Sequence, residues 1–292
     1  MKVFVTGGSG WVGKTLVPEL VAAGHQVTGL ARSEASAEAL EALGAAAVAG
    51  DLESRDVIAE QAAQADGVVH LAFRHDFANF ASAVELDAQV VRTLGEALAG
   101  SGKALVITSG TPATPGRLST EQDKAAAGTP ATGREQVSDL ALSYADRDVR
   151  VSVVRLPRSV HGTGDHGFVS QLARLAVEAG MSGYVGDGEQ RWPAVHVADA
   201  AHLYRLALEN APAGSVLHAV GDEAIAFREI AEALGRSNGV PAGVVDPETL
   251  GFLGMLASVD QPAGAALTRD LLGWSPGQPG LLADIDAGNY RA

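Results

Sequence analysis

The chain has 292 residues, a formal net charge of −14 and 47% hydrophobic residues. That much apolar material allows a sizeable core, while the acidic balance argues against a broad nucleic-acid surface, which needs clustered Lys and Arg to displace counterions. There is no cysteine, which excludes disulfides, thiolate metal sites and a cysteine nucleophile.

Lys2 to Thr6 is short, β-branched and apolar, the pattern of a buried parallel strand that ends at glycines. A helix follows from Lys14, with Leu16, Leu20 and Ala23 on one face and Gly24 as its stop. His25 to Leu30 reads as a second strand, an Ala/Glu/Leu-rich helix runs to about Leu43, and a short strand covers Ala46 to Ala49. Gly67 to Ala72, Ala104 to Thr108 and Val151 to Leu156 are further strands, with a helix from about Ala83 to Leu98. This alternation predicts an α/β fold: a Rossmann-type doubly wound parallel sheet with a small C-terminal substrate-binding subdomain.

Residues 1–162 are assigned mainly to the dinucleotide-binding domain and 163–292 mainly to a substrate-binding cap, with chain at about 190–222 returning to the sheet. The cap helices are expected near Val169 to Ala179, Asp199 to Asn210 and Phe227 to Leu234, and the returning strand at Ser215 to Val220. Ser109 to Gly133, rich in Thr, Pro, Gly and Ala, reads as a loop bordering the site. Met1 to Val5 leads directly into glycines rather than through the apolar stretch of a signal peptide, and no apolar run spans a bilayer. A cytoplasmic protein with no membrane or nucleic-acid partner is expected.

Thr6-Gly7-Gly8-Ser9-Gly10-Trp11-Val12-Gly13 lies between the first strand and the first helix, the context that gives a glycine motif meaning. Gly7 can take backbone angles closed to other residues, Gly10 lets the main chain approach a pyrophosphate, and Gly13 allows close helix packing. The backbone of Trp11, Val12 and Gly13 then presents a helix N-terminus to the phosphates. About 20 residues on, an NAD site carries an acid for the ribose hydroxyls. Here Ala31-Arg32-Ser33 stands instead. Arg32 can bond a 2′-phosphate, with Ser33 adding a hydroxyl, so NADP(H) is the expected cofactor and NAD(H) the alternative. A solvated surface arginine is the other reading of Arg32.

The Thr6 to Gly13 segment resembles the TGxxGxxG signature of extended and atypical short-chain dehydrogenases/reductases, the epimerase/dehydratase-like group. Gly50-Asp51-Leu52 resembles that family's adenine-contacting strand end, and His70-Leu71-Ala72 the segment beneath the cofactor. Arg155 to Gly162, with Pro157, is similar to the Arg-Pro-x-x-Val-Tyr-Gly segment beside the nicotinamide. Trp192 to Asp199 resembles the WVHVxD segment of the substrate half. The resemblance implies an oxidoreductase acting on a small-molecule substrate, and a homodimer is the default association of this kind of fold.

The family's catalytic set is a Tyr, a Lys four residues later and a Ser. Counting back from Pro157 puts Pro130 at the tyrosine and Arg134 at the lysine, and Gly110 falls near the serine with Ser109 and Thr111 beside it. Proline has no proton to give, and Arg134 can hold a hydroxyl or an oxyanion but is a poor acid. Ser109, Thr111, Arg134 and His161 are therefore the candidate catalytic residues, with His161 and His166 in a polar segment expected to face the cleft. Tyr144 reads as packing. Tyr184, Asp165, Arg191 and His196 form no recognised motif, and Asp165 beside His166 is too little for a metal, so none is expected. Three functions remain open: hydride transfer to a small carbonyl or from a hydroxyl compound, a non-catalytic NADP(H)-binding regulator, and nucleotide-sugar epimerisation or dehydration.

Overall fold

The computed structural model describes residues 1–76, 79–129 and 131–292. Its first half alternates strictly: β1 (Lys2–Thr6), α1 (Gly13–Ala22), β2 (Gln26–Ala31), α2 (Glu34–Ala42), β3 (Ala46–Ala49), α3 (Arg55–Gln64) and β4 (Gly67–His70). Then come α4 (Phe80–Leu98), β5 (Ala104–Gly110), α5 (Thr132–Leu142) and β6 (Arg150–Leu156). The second half holds β7 (Ser159–His161), α6 (Phe168–Ala179), β8 (Ser182–Tyr184), β9 (Arg191–His196), α7 (Val197–Asn210) and β10 (Ser215–His218). It ends with β11 (Asp222–Ala226), α8 (Phe227–Asn238), β12 (Ala242–Val244), α9 (Phe252–Ala257), α10 (Ala266–Leu272) and α11 (Leu281–Asp286).

Seven strands form one parallel sheet in the order β3-β2-β1-β4-β5-β6-β10. The period of two along β1 sends Val3 and Val5 to one face and Phe4 to the other. Val3 and Val5 join a core with Leu16 and Leu20 of α1 and Ala200, Tyr204 and Leu208 of α7. Phe4 joins a second core with Ile58 of α3, Val90 and Leu94 of α4 and Val137 of α5. Both faces are thus covered, which is why these strands read as unbroken apolar runs. The strand order reverses between β1 and β4, and the crevice at the carboxyl ends of those strands is where such a sheet takes its ligand.

The structure departs from the sequence reading at several segments. No helix was expected at Arg55–Gln64, because α3 buries only Ile58 and Ala62 and its other alanines blur the apolar stripe. Of the segment 190–222, part of which is expected at the sheet, β10 pairs with β6 as expected; α7, expected as a cap helix, instead packs on α1 and the main sheet, and β9 joins β7 and β11 in a separate three-stranded sheet. That small sheet anchors the third core, in which Trp192 meets Leu172 of α6, Phe227 of α8, Leu253 of α9 and Leu281 of α11. β5 also runs two residues past Thr108, pairing Ser109 with Arg155 and Gly110 with Leu156.

The loop after β5 is held against the body of the fold. Ser119 exchanges backbone hydrogen bonds with Pro262 and Gly264 at 2.9 and 2.8 Å. Buried Arg155 donates to Asp123 O at 2.7 Å and to both Glu135 carboxylate oxygens at 2.9 and 3.1 Å.

Candidate active site and cofactor cradle

The turn between β1 and α1 is shaped by its glycines. Gly7 has φ +74°, and a Cβ there would lie 2.7 Å from Ala72 N, so both its conformation and its space exclude a side chain. At Gly13 a Cβ would stand 2.2 Å from Gly7 O and 2.6 Å from Gly8 C. The first turn of α1 therefore packs directly on the loop that precedes it. Gly10 is different: it is exposed, and only Gly7 O comes near its Cβ position, at 3.1 Å. Val12 is the N-cap of α1 and no side chain caps that end, which leaves its N–H groups for an anion. Trp11 turns its ring away and donates from Nε1 to Val160 O at 2.8 Å, tying the loop to β7. These residues fit a dinucleotide pyrophosphate.

At the end of β2, Arg32 is exposed and has no ion pair among the described residues. Ser33 has a local task, since it is the N-cap of α2 and forms a capping box with Ser36. Asp51 also caps: its Oδ1 accepts from Glu53 N at 2.9 Å, Ser54 N at 3.0 Å and Ser54 Oγ at 2.9 Å. The Ser54 hydroxyl, followed by the Glu53 amide, holds its carboxyl below the usual range. Leu52 packs half-buried on the second core. Leu71 and Ala72 follow β4 directly, and Ala72 N donates to Thr6 Oγ1 at 3.3 Å.

A buried polar chain lies behind the carboxyl ends of β1, β4 and β5. Thr6 Oγ1 meets His70 Nδ1 at 2.6 Å, and His70 Nε2 meets Asp87 Oδ1 at 3.0 Å. With Thr6 as donor, the tautomer this network assigns carries its proton on Nε2. Asp87 Oδ2 accepts from a guanidinium nitrogen of Arg134, whose other terminal nitrogen donates to Thr108 O. Thr108 Oγ1 in turn donates to His70 O at 2.9 Å and meets the Tyr204 hydroxyl at 2.8 Å. The Arg134 guanidinium also lies 4.3 Å from the centre of the Phe73 ring, a cation–π contact. Sequence reasoning had Arg134 but missed its partner. The signal was present, since Asp87 interrupts the apolar face of α4 formed by Ala83, Leu86, Val90 and Leu94.

Ser109 and Thr111 bracket the end of β5 and are nearly buried. The hydroxyl of Thr111 has no described partner, its N–H donates to Leu156 O at 3.0 Å, and its carbonyl accepts from the Gln261 side chain. Pro157 is buried at the end of β6. Pro130, counted to the tyrosine position, lies outside the described residues.

The cap-side histidines separate. His161, expected to face the cleft, is sealed inside β7, where its Nδ1 meets Asp284 Oδ2 at 2.9 Å and its ring stands edge-on to His196 at 5.4 Å. Pairing of β7 with β9 draws it into the cap sheet. His166 is exposed and edge-on to Trp11 at 5.7 Å. Asp165 is turned away from it, accepting from Gly167 N at 2.6 Å and the Tyr290 hydroxyl at 3.0 Å, and burial raises its carboxyl. His196 accepts from Ala198 N at 3.2 Å as the cap of α7. Arg191 is committed to Asp260, by Nε at 3.0 Å and a terminal nitrogen at 2.7 Å. Tyr144 is buried, its hydroxyl donating to Glu96 at 3.0 Å. No cluster of three or more His, Asp or Glu able to hold a metal occurs among the described residues, and none of their helices is long and apolar enough to cross a membrane.

The model of the NAD dependent epimerase/dehydratase family matches residues 3–219. The chain belongs to that family. Its cradle and parallel sheet make it an NAD(P)-binding protein of Rossmann type, and its relatives include reductases and epimerases. An uncharacterised protein of Schizosaccharomyces pombe is 42% identical over 99% of this chain and 100% of its own length. The 4-hydroxy-2-methyl-3-oxo-4-farnesyl-3,4-dihydroquinoline-1-oxide ketoreductase of Stigmatella aurantiaca is 31% identical over 84% of this chain and 75% of its own. Among solved structures, the dTDP-glucose 4,6-dehydratase DesIV of Streptomyces venezuelae, with NAD and TYD bound, superposes with a TM-score of 0.80 at 19% identity. That match covers 99% of this chain and 96% of the other. At that identity the likeness is one of fold.

Proposed function

We propose that the protein is an NADP(H)-dependent oxidoreductase that moves hydride between the nicotinamide ring and a small carbonyl or hydroxyl compound. The observation that supports this reading is the glycine cradle before the uncapped N-terminus of α1, with Arg32, exposed and in no ion pair among the described residues, at the end of the neighbouring β2. When bound, the dinucleotide supplies the hydride donor or acceptor. Gly7, Gly10 and Gly13 with the amides of Trp11 and Val12 hold the pyrophosphate, and Asp51, Leu52, Leu71, Ala72 and Pro157 line the rest of its path. Arg32 sets the preference for the 2′-phosphate, because a guanidinium answers a second anion where a carboxylate would repel it.

At the reacting end, Arg134 has five N–H donors and gives two in the bonds described, to Asp87 and Thr108. The remaining donors serve a ribose hydroxyl or a developing alkoxide, and Ser109 and Thr111 supply the nearest hydroxyls. His161 is too deeply enclosed to touch substrate as the cap stands, and serves to brace Asp284. The ketoreductase relative supports a carbonyl substrate. A nucleotide sugar needs cations for its diphosphate, and Arg191 in the cap is already neutralised by Asp260.

The test is oxidation of NADPH by purified protein with a panel of small ketones, 3-oxo esters and 2-alkyl-3-oxo acids. Turnover with at least one member is expected. Tight NADPH binding with no oxidation across the panel would favour a non-catalytic sensor instead.

A further inference from the structure

Where the main sheet hands over to the cap, a largely enclosed guanidinium carries its charge without an acid. Arg158 follows Pro157 at the carboxyl end of β6 and leads into β7, on the side of the sheet where such a fold takes its ligand. Its side chain turns inward, with the guanidinium 5.0 Å from the centre of the Trp192 ring, a member of the third core. One terminal nitrogen donates to Leu256 O, and to Val259 O at 3.5 Å, and the other donates to Gln261 Oε1. All three acceptors are neutral. No Asp or Glu among the described residues forms an ion pair with Arg158, and Asp260, next to Val259 in the chain, is held by Arg191 at 2.7 Å. Arg134 and Arg155, beside the same ends of β5 and β6, are by contrast neutralised by Asp87 and Glu135.

Enclosing a guanidinium among neutral groups costs free energy that a paired acid would offset. Burial brings the Arg158 pKa from 12.5 down to about 10 with no neighbouring charge to counter it, so the group is still a cation at neutral pH. The carbonyls at the end of the six-residue α9 supply partial charges only. Its positive potential is therefore available to an incoming anion, and counts for more in this enclosed setting than it would in water. A guanidinium has five N–H donors, and the bonds above leave Nε and one terminal N–H unused. Nε is not among the polar atoms sealed away without a partner. Hydrogen bonds also fix where this cation stands. Gln261, which accepts from Arg158, donates from its amide nitrogen to Thr111 O, and Thr111 N donates to Leu156 O at 3.0 Å. One side-chain amide thus separates the guanidinium from Thr111, whose own hydroxyl is buried without a described partner.

We propose that Arg158 is a substrate-binding residue that pairs with a carboxylate, so that the compound taken by the site is an oxo acid or the matching hydroxy acid. The inference rests on the oxidoreductase reading above and narrows it. The carboxylate accepts from the unused donors of Arg158, while the carbonyl of the same molecule lies by Ser109, Thr111 and Arg134. A neutral ketone or an ester leaves the enclosed charge unmatched, which makes the residue a selector for acids as well as an anchor.

The test is NMR of the full chain carrying isotope-labelled arginine, with the Arg158 Nε–H signal identified by its loss in Arg158→Gln. In protein loaded with NADP⁺, at least one of 2-oxobutanoate, 3-oxobutanoate and 4-oxopentanoate should shift that signal, and the methyl ester of the same acid should leave it in place. No shift with any of the acids, an equal shift with acid and ester, or a shift with UDP alone would overturn the assignment. On an acid that turns over, Arg158→Gln should raise KM by about 10- to 100-fold, the scale of charge-assisted hydrogen bonds, with a smaller change in kcat, and should alter the KM of the ester far less. Arg158→Lys, which keeps the charge, should recover part of the loss. Equal losses for acid and ester would reveal a general effect on the fold and contradict the proposal. Failure of both acids and esters to oxidise NADPH would instead overturn the oxidoreductase reading, whereas an acid-specific NMR shift would still establish the carboxylate site.

Discussion

Asp87 on α4 clamps Arg134 on α5 from below while its other oxygen holds His70 at 3.0 Å, so a single buried carboxylate fixes the floor of the site from two helices and a strand. Removing one member of a largely buried ion pair leaves the other charge uncompensated, at a cost of about 3 kcal/mol or more. Asp87→Asn and Arg134→Met should each lower stability by roughly that amount. The double variant should recover part of the loss, because neither charge is then stranded. Denaturant midpoints for the cycle check this, and additive losses would show that the two residues are not coupled.

Gly13 tests the cradle. A methyl group there meets Gly7 O at 2.2 Å and Gly8 Cα at 2.6 Å, both backbone atoms, so Gly13→Ala forces α1 away from the loop. Overpacking of this kind costs about 1–3 kcal/mol, and the displaced amides should weaken dinucleotide binding at least tenfold, about 1.4 kcal/mol. Calorimetric titration of the variant against wild type reads the second effect directly.

A third expectation concerns acid stability. Burial brings His218 down from its ordinary 6.5 to about 4, against opposing help from its bond to Gly264 and the charge of Glu121. Its folded pKa is depressed, so between those two values the unfolded chain binds the proton that the folded chain refuses. Stability therefore falls as pH drops from 6.5 toward 4, by up to about 1.4 kcal/mol per pH unit for this one group. His218→Asn, which can still donate to Gly264 O, should flatten that part of the profile in urea unfolding measured across the range.

The fold was legible because its signals are local. Val3 to Val5, Val68 to Val69 and Val153 to Val154 are apolar runs that only a sheet covered on both faces explains, and the glycines of the β1–α1 turn carry their own spatial constraint. The destination of β9 was not legible. Arg191 to His196 lies in chain expected to return to the main sheet, whereas β9 pairs with β7 and β11, where Trp192 packs against Phe227 at 4.8 Å, a contact between residues far apart in sequence. The site divides in the same way. Arg134 was reachable by counting, whereas Asp87, which holds it, is a lone carboxylate on the apolar face of α4, and only the fold brings the two together. His161 went the other way, since the polar residues after it suggested exposure and strand pairing buried it.

Under the proposed function, the cradle binds a nicotinamide dinucleotide and Arg32 reads its 2′-phosphate. The most direct test is calorimetric titration of wild type and Arg32→Glu with NADPH and NADH. Wild type should bind NADPH more tightly than NADH, and the variant should lose roughly 10- to 100-fold in NADPH affinity, the scale of a charge-assisted hydrogen bond, with little change for NADH. Equal affinities for the two cofactors in wild type, or equal losses in the variant, would contradict the role of Arg32, and no binding of either would contradict a dinucleotide cradle in this fold.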